Sequence, residues 1–275
     1  MKKLFAAAAA GVLALSLSAC VNTGAGPGGA SDSIVIGIKV DQPGLGLREG
    51  NTYKGFDVDV AKYVAKELGY AEDKIEFKEA VSAQRETLIS SGQVKLIFAT
   101  YSITDTRKQQ VSFGGPYFVA GQDLLVQSSD TEITGPDKLA GKKLCSVTGS
   151  TPAENVKKKY PDVQLQEYDT YSKCVQALST GAVDAVTTDD TILAGFASQS
   201  QYSGKLKVVG APFSTERYGV GLKKGDVDTC NKVNDAIKKM IDDGSWQKAI
   251  DANLGASGYK PNATENPPKT FETCA

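Results

Sequence analysis

Short β-branched runs alternate with amphipathic helical stretches along this chain, and that alternation leaves few folds open to it. "IVIGIKV" (34–40) has the composition of a strand. "GFDVDVAKYVAKELG" (55–69) follows, with Val60, Val64 and Leu68 at four-residue spacing and Gly69 as a stop, which predicts a helix with one apolar face. "KIEFKEA" (74–80) predicts a second strand, "AQRETLISSG" (83–92) a short helix and "VKLIFAT" (94–100) a third strand. A βαβαβ order calls for a parallel sheet with helices on both faces and a ligand site at the carboxyl ends of its strands.

A second series begins near residue 123 with "DLLVQ", then "KKLCSVTG" (142–149), a helical "PAENVKKKY" (152–160), "VQLQEY" (163–168), a helical "TYSKCVQALSTG" (170–181) and "VDAVTT" (183–188). "KLKVVG" (205–210) and "RYGVGLKK" (217–224) read as further strands. The amphipathic stretches 233–244 and 246–255 close the fold, and Pro267 and Pro268 forbid a helix in the tail. The pattern predicts an α/β protein of two lobes, the second inserted into the first. Lobe 1 takes 34–125 and 214–275, and lobe 2 takes 126–213. The chain is expected to cross out near 122–127 and to return near 212–218.

Upstream of this lies "MKK" and then an apolar stretch, 4–18, of signal-peptide length and too short to span a membrane comfortably. "LSAC" (17–20) resembles the lipobox of bacterial lipoproteins, which implies cleavage after residue 19 and lipidation of Cys20. Residues 20–33 then read as a lipidated cysteine and a flexible tether. These features predict an extracytoplasmic protein held on the outer face of the cell membrane.

Composition removes several function classes. The net charge is −1, with no basic tract, so nucleic acid is not an expected partner. Histidine is absent, and with it the commonest general base and metal ligand, so neither a cofactor nor a metal is expected. Beyond Cys20 stand Cys145, Cys174, Cys230 and Cys274, an even number that favours disulfides in an exported chain. Three pairings are possible. The two-lobe division favours Cys145 with Cys174 and Cys230 with Cys274, because any other pairing would staple together lobes whose cleft must open.

The stretch "ATYSITDTRKQQVSF" (99–113) ends an apolar strand in four hydroxylated residues and then Arg107. It resembles, together with "GFDVDVAKYVAKEL", "GQDLLV", "SVTGSTPAENV", "GAVDAVTTDDTIL" and "YGVGLKKGD", the family 3 amino-acid-binding proteins of bacterial ABC importers. "KVDQPGLGLR", "SAQRETLI" and "EYDTYSKCVQAL" are similar to the glutamate-binding lipoproteins of actinobacteria. The resemblance runs over 34–255. It implies a type II periplasmic-binding-protein-like fold whose ligand cleft lies at a two-segment hinge, and a monomer that is no enzyme. Its expected partners are an amino acid, a permease and an ATPase subunit.

The same resemblance implies the ligand set. Arg107 matches the arginine that clamps the α-carboxylate, a role suited to a planar guanidinium. Thr100 and Ser102 match supplementary donors, against the plainer reading that Ser102 or Thr104 caps a helix. Ser150 and Thr151 match the opposite jaw, with Pro152 where many relatives place a polar residue. Asp189 matches the acid that binds the α-ammonium, with Asp190 as the capping alternative. Lys39 and Arg85 stand where they would read the ligand's side chain. Tyr218 is a hinge-side candidate, more simply explained as structural.

Lys39, Arg85 and Arg107 against Asp189 balance two carboxylates and one ammonium, which favours an acidic amino acid, with glutamate ahead of aspartate and glutamine. A ligand sensor for a membrane receptor is the alternative role, and a dehydratase-like enzyme on a related fold is a remoter one. The first loop, "DQPGLGL", lacks the ring that the family usually packs over its ligand.

Overall fold

The computed structural model describes residues 33–275. The expected signal peptide (1–19), Cys20 and nearly all of the tether lie outside the described residues. Among the described residues, no helix is long and apolar enough to cross a membrane.

Two five-stranded sheets carry the architecture. In the first, the strands lie in the order Ile75–Glu79, Ile34–Ile38, Leu96–Phe98, Glu216–Lys223, Val111–Ala120. Its first three strands are parallel, and Glu216–Lys223 runs antiparallel to both of its neighbours. The second sheet orders Gln164–Tyr168, Lys143–Val147, Ala185–Asp189, Gln122–Gln127, Leu206–Val208, again with three parallel strands followed by an antiparallel one. The two sheets share one plan, and in each the antiparallel strand is the one by which the chain arrives from the other lobe. The type II fold with an inserted lobe is what the structure has.

Burial follows from that plan, because parallel strands flanked by helices have no solvent face. Leu96–Phe98 is buried throughout. The helix Phe56–Glu67 turns Phe56, Val60, Ala61 and Val64 inward, as the four-residue spacing predicts. Phe56 meets Phe118 and Trp246 edge-on at 5.6 and 5.9 Å between centroids, and the Trp246 indole donates to the Tyr117 carbonyl at 2.8 Å.

Only Gly121 separates Val111–Ala120 from Gln122–Gln127, so the outgoing crossing is a single residue. The strand Gln122–Gln127 belongs wholly to the second sheet, and the boundary expected after residue 125 falls inside it. A Cβ on Gly121 would lie 2.7 Å from the Pro212 side chain, and the Phe213 amide donates to the Gln122 carbonyl at 2.8 Å. The outgoing and returning crossings therefore pack side by side. A small antiparallel sheet, Asp41–Gln42, Gly46–Glu49 and Thr52–Lys54, occupies a stretch whose runs are too short to read as strands.

Disulfides join Cys145 to Cys174 and Cys230 to Cys274. The first ties the strand Lys143–Val147 to the helix Tyr171–Ser179, and the second holds the irregular tail to the helix Val227–Asp242. The first bond closes a separation of 29 residues. Replacing both Cys145 and Cys174 by alanine should lower the free energy of unfolding in urea by about 3–4 kcal/mol. A loss below about 1 kcal/mol would mean that the second lobe does not depend on this link.

Candidate functional site

The strand Leu96–Phe98 leads into a backbone turn at Thr100, whose φ of 44° is left-handed, a costly conformation for a β-branched residue. Asp57 holds it there. Its Oδ2 accepts from the Thr100 amide at 2.9 Å and its Oδ1 from the Tyr117 hydroxyl at 2.8 Å. Burial raises the Asp57 carboxyl to about 6, opposed by those two hydrogen bonds. The Thr100 hydroxyl donates at 2.8 Å to the Ala99 carbonyl and lies 3.3 Å from Gln42 Oε1.

The helix that follows, Asp105–Lys108, is a single turn capped by Thr104, whose hydroxyl accepts from the Arg107 amide at 3.2 Å. That frees Ser102, the other capping candidate. Arg107 folds back over the turn. Its Nη1 donates to the Ser102 carbonyl at 2.7 Å, its Nη2 to the Gly149 carbonyl at 2.9 Å, and its Nε lies 3.5 Å from Glu86.

Arg85 opens the helix Arg85–Ser90 and is 2% exposed. It donates to three backbone carbonyls, of Ser82, Ala99 and Gly149, at 3.3, 3.0 and 3.3 Å. Its guanidinium carbon lies 4.1 Å from the centre of the Tyr101 ring, and that of Arg107 lies 5.0 Å away, so one aromatic face system supports both cations. Lys39, one residue past the strand Ile34–Ile38, is 3% exposed and donates to the Ser82 hydroxyl at 2.8 Å. Burial and then the Arg85 charge lower the Lys39 amine to about 7, and burial and then Arg107 lower Arg85 to about 10. Neither Lys39 nor Arg85 has an ion pair among the described residues.

On the second lobe, Ser150 caps the helix Thr151–Lys159, its hydroxyl accepting from the Ala153 amide at 3.1 Å. The Thr151 hydroxyl lies 3.1 Å from Ser102 Oγ and 2.7 Å from Glu216 Oε2. Asp189 precedes the helix Asp190–Ala197 but makes no capping hydrogen bond. Its Oδ2 accepts from the Tyr218 hydroxyl at 2.6 Å, while its Oδ1 is buried with no hydrogen-bond partner. Burial, then the Glu216 charge, push the Asp189 carboxyl well above the usual carboxylate range, against the Tyr218 hydroxyl. Asp190 turns outward to the Gly121 and Thr191 amides and the Tyr259 hydroxyl.

The lobes meet across the cleft. Arg85 and Arg107 both reach the Gly149 carbonyl, and Gly149 (φ +77°) sits so close to Ala83 that a Cβ would fall 2.8 Å from its Cα. The Ser172 amide donates to Asp41 at 3.1 Å, and a Cβ on Gly195 would lie 2.1 Å from the Pro43 carbonyl oxygen. The ringless first loop thus packs its backbone on a helix of the other lobe. Between these contacts lies a small polar cavity lined by Arg85, Thr100, Ser150, Thr151 and Asp189 along with Ser82, Tyr171 and Ile192. A larger groove of about 660 Å³, beside Lys62, Tyr63 and Met240, lacks such convergent buried polar groups.

The structure therefore gathers Arg85, Thr100, Ser150, Thr151 and Asp189 around one cavity, with Lys39, Ser102 and Tyr218 bonded to that wall, while Arg107 lines a neighbouring, more open cavity with Ser82, Glu86, Gly149 and Thr151. Sequence reasoning overlooked Tyr171, whose hydroxyl faces those of Ser150, Thr188 and Ser146. Its spacing to Cys174 and Leu178 places it on a buried helix face, which is the signal it carried. It also overlooked Glu86 and Glu216, so the count of one acid against three cations is incomplete.

The model of bacterial extracellular solute-binding proteins, family 3, matches residues 34–256. A protein of Corynebacterium glutamicum named glutamate-binding protein GluB is 49% identical over 92% of this chain and 89% of its own length. A Bacillus subtilis protein named ABC transporter glutamine-binding protein GlnH is 35% identical over 90% of this chain and 96% of its own. Among solved structures, an ancestral arginine-binding protein bound to glutamine superposes with a TM-score of 0.77 at 34% identity, over 82% of this chain and all of the other. With a two-lobe cleft of this construction and these relatives, the chain belongs to the family 3 bacterial extracellular solute-binding proteins.

Proposed function

We propose that this chain captures an acidic amino acid, L-glutamate above all, between its two lobes and presents the closed complex to a membrane permease served by an ATPase subunit. The observation that carries the acidic assignment is the pair of buried cations on the first lobe. Lys39 and Arg85 are 3% and 2% exposed and have no carboxylate within ion-pair distance among the described residues. A charge buried without a counter-ion is costly, and a ligand's side-chain carboxylate supplies that counter-ion where glutamine's amide does not. The relative named as glutamate-binding supports the same reading, and the one named as glutamine-binding supplies the competing ligand.

In this reading Arg107 holds the α-carboxylate. A guanidinium has five N–H groups, and three of them already meet Glu86, Ser102 and Gly149, which leaves two for the ligand. Thr100, Ser102, Ser150 and Thr151 supplement it, and the free Oδ1 of Asp189 takes the α-ammonium. Tyr218 orients Asp189. The two lobes, which part at Gly121 and again at the returning crossing near 212–216, move about these paired crossings. Closure is driven by contacts that exist only when both lobes reach the ligand. The ligand is bound and released unchanged. Cys20, lipidated after removal of residues 1–19, anchors the chain through its tether at the outer face of the cell membrane.

Calorimetric titration with glutamate, aspartate, glutamine and lysine tests the ligand directly, and tightest binding of glutamine or lysine would overturn the acidic assignment. Arg85→Ala should weaken glutamate by about 100-fold and glutamine by only a few fold. Equal losses would detach Arg85 from the side-chain carboxylate.

An anionic ligand favours protonated Lys39, whose amine lies at about 7 without it. Binding raises that value, so glutamate affinity should be full below pH 7 and fall as pH climbs above it, by up to about tenfold per unit. Glutamine affinity should stay flat, and Lys39→Met should abolish the slope. Glutamate affinity independent of pH between 6 and 9 would remove Lys39 from the site.

Closure has its own test in Gly195→Ala. Alanine favours the helix Asp190–Ala197 by about 1 kcal/mol over glycine, but its Cβ collides with Pro43 only when the lobes meet. The variant should weaken all amino-acid ligands at least tenfold while the ligand-free protein loses no thermal stability. Unchanged affinity would show that productive binding does not bring these two segments together.

A further inference from the structure

Glu216 is buried, at 3% exposure, at the start of the strand Glu216–Lys223. Its oxygens receive the Thr151 hydroxyl at 2.7 Å, the Ser214 hydroxyl at 2.7 Å and the Asn155 amide at 3.4 Å. All three donors are neutral, and no Lys or Arg among the described residues pairs with it. Strand alternation puts Glu216 on the same face as Tyr218, two residues on. Tyr218 is the residue that binds Asp189 Oδ2 at 2.6 Å, and Asp189 Oδ1 lacks a donor. The Thr151 hydroxyl that donates to Glu216 lines the same cavity as Asp189, so the two carboxylates serve one wall of the cleft. Two buried acids thus stand on the hinge side of the cleft without a cation. Of the charges acting on Asp189, that of Glu216 is the largest.

We propose that Glu216 is the second carboxylate of the ammonium site, and that its charge makes the closed cleft select ligands carrying an α-ammonium while Asp189 makes the direct contact. The inference rests on the amino-acid reading above and extends it to a specificity residue on the returning crossing. With an ammonium between the lobes, both acids gain a counter-ion. With a dicarboxylate that lacks it, both remain buried and unpaired, and the ligand's own charges add to them. Glu216 acts here through its field and through Thr151, not by touching the reading end of the ligand, so it is a positioning residue with an electrostatic signature.

Glutarate, which is glutamate without its amino group, is the probe. Wild-type protein should bind glutamate far more tightly than glutarate. Glu216→Gln keeps the shape and an acceptor for Thr151 but removes the charge, and should cut the glutamate-to-glutarate affinity ratio by about tenfold or more. Glutarate itself should bind the variant as well as, or better than, it binds wild type. Glu216→Asp keeps the charge while shortening the reach to Thr151, and should preserve the ratio within about threefold even where it weakens both ligands.

Equal weakening of glutamate and glutarate by Glu216→Gln would reduce Glu216 to a structural contact and overturn the inference alone. A collapsed ratio in Glu216→Asp would do the same, and serves as the deciding measurement should Glu216→Gln fail to fold. Wild-type protein that binds no glutamate would overturn the proposed function as well.

Discussion

A buried charge must find an opposite charge or a dense set of dipoles, and the cleft is organised around two cations, Lys39 and Arg85, that hydrogen-bond to neutral groups and make no ion pair among the described residues. Arg85 is held by three backbone carbonyls and by the face of Tyr101, and Lys39 by one hydroxyl. That environment keeps the guanidinium in place without neutralising it. Arg107 differs, because Glu86 takes part of its charge from one side and anchors the Tyr101 hydroxyl at 2.6 Å from the same oxygen. Tyr101 is therefore pinned at its hydroxyl and stacked on by both arginines. Tyr101 and Ser102 after the strand, with Arg107 from the following helical turn, thus form one platform, and Thr100 begins it in a strained backbone conformation that the buried Asp57 enforces.

The fold makes such a platform possible through its crossings. Each sheet receives one antiparallel strand from the other lobe, so residues of the returning strand Glu216–Lys223 belong structurally to the first lobe and chemically to both. Tyr218 reaches Asp189, and Glu216 reaches Thr151 and Asn155. Away from the crossings the lobes also touch, at Gly149 against Ala83 and at Gly195 against Pro43. The glycines at those two places are where the lobes come within backbone distance, a spacing that any Cβ would prevent.

Much of this was legible in the sequence. Helix periodicity and strand composition are local properties, so Phe56–Glu67 and the βαβαβ order follow from them, and the inserted lobe follows from the order. The two disulfides agree with that division because each closes within one lobe. The polar strand end at 99–107 and the jaw at 149–151 were legible as a match to a family's pattern. Other features depend on the third dimension. Glu216 is an acid at a strand start, no different in sequence from a solvated one, and only the approach of Thr151 and Asn155 buries it. The outgoing crossing, expected near 122–127, lies at Gly121, because the point at which the chain passes from one sheet to the other is decided by tertiary pairing. The sheet at 41–54 has strands too short for any periodicity to register.

The placement of charge by lobe has a consequence for what any ligand must carry. The first lobe supplies Lys39, Arg85 and Arg107, and the hinge side supplies Asp189 and Glu216. A simple anion could satisfy the former in the open form while leaving the latter untouched, so it would gain little from closure. A simple cation would meet the reverse problem, since it would face the three buried cations on the opposite wall. A molecule with both carboxylate and ammonium addresses both walls at once. That is a physical reason for closure to be coupled to the zwitterion rather than to either charge. It also separates the two recognition problems in the proposed reading, with the ligand's backbone assigned to Arg107 and the acids and its side chain to Lys39 and Arg85.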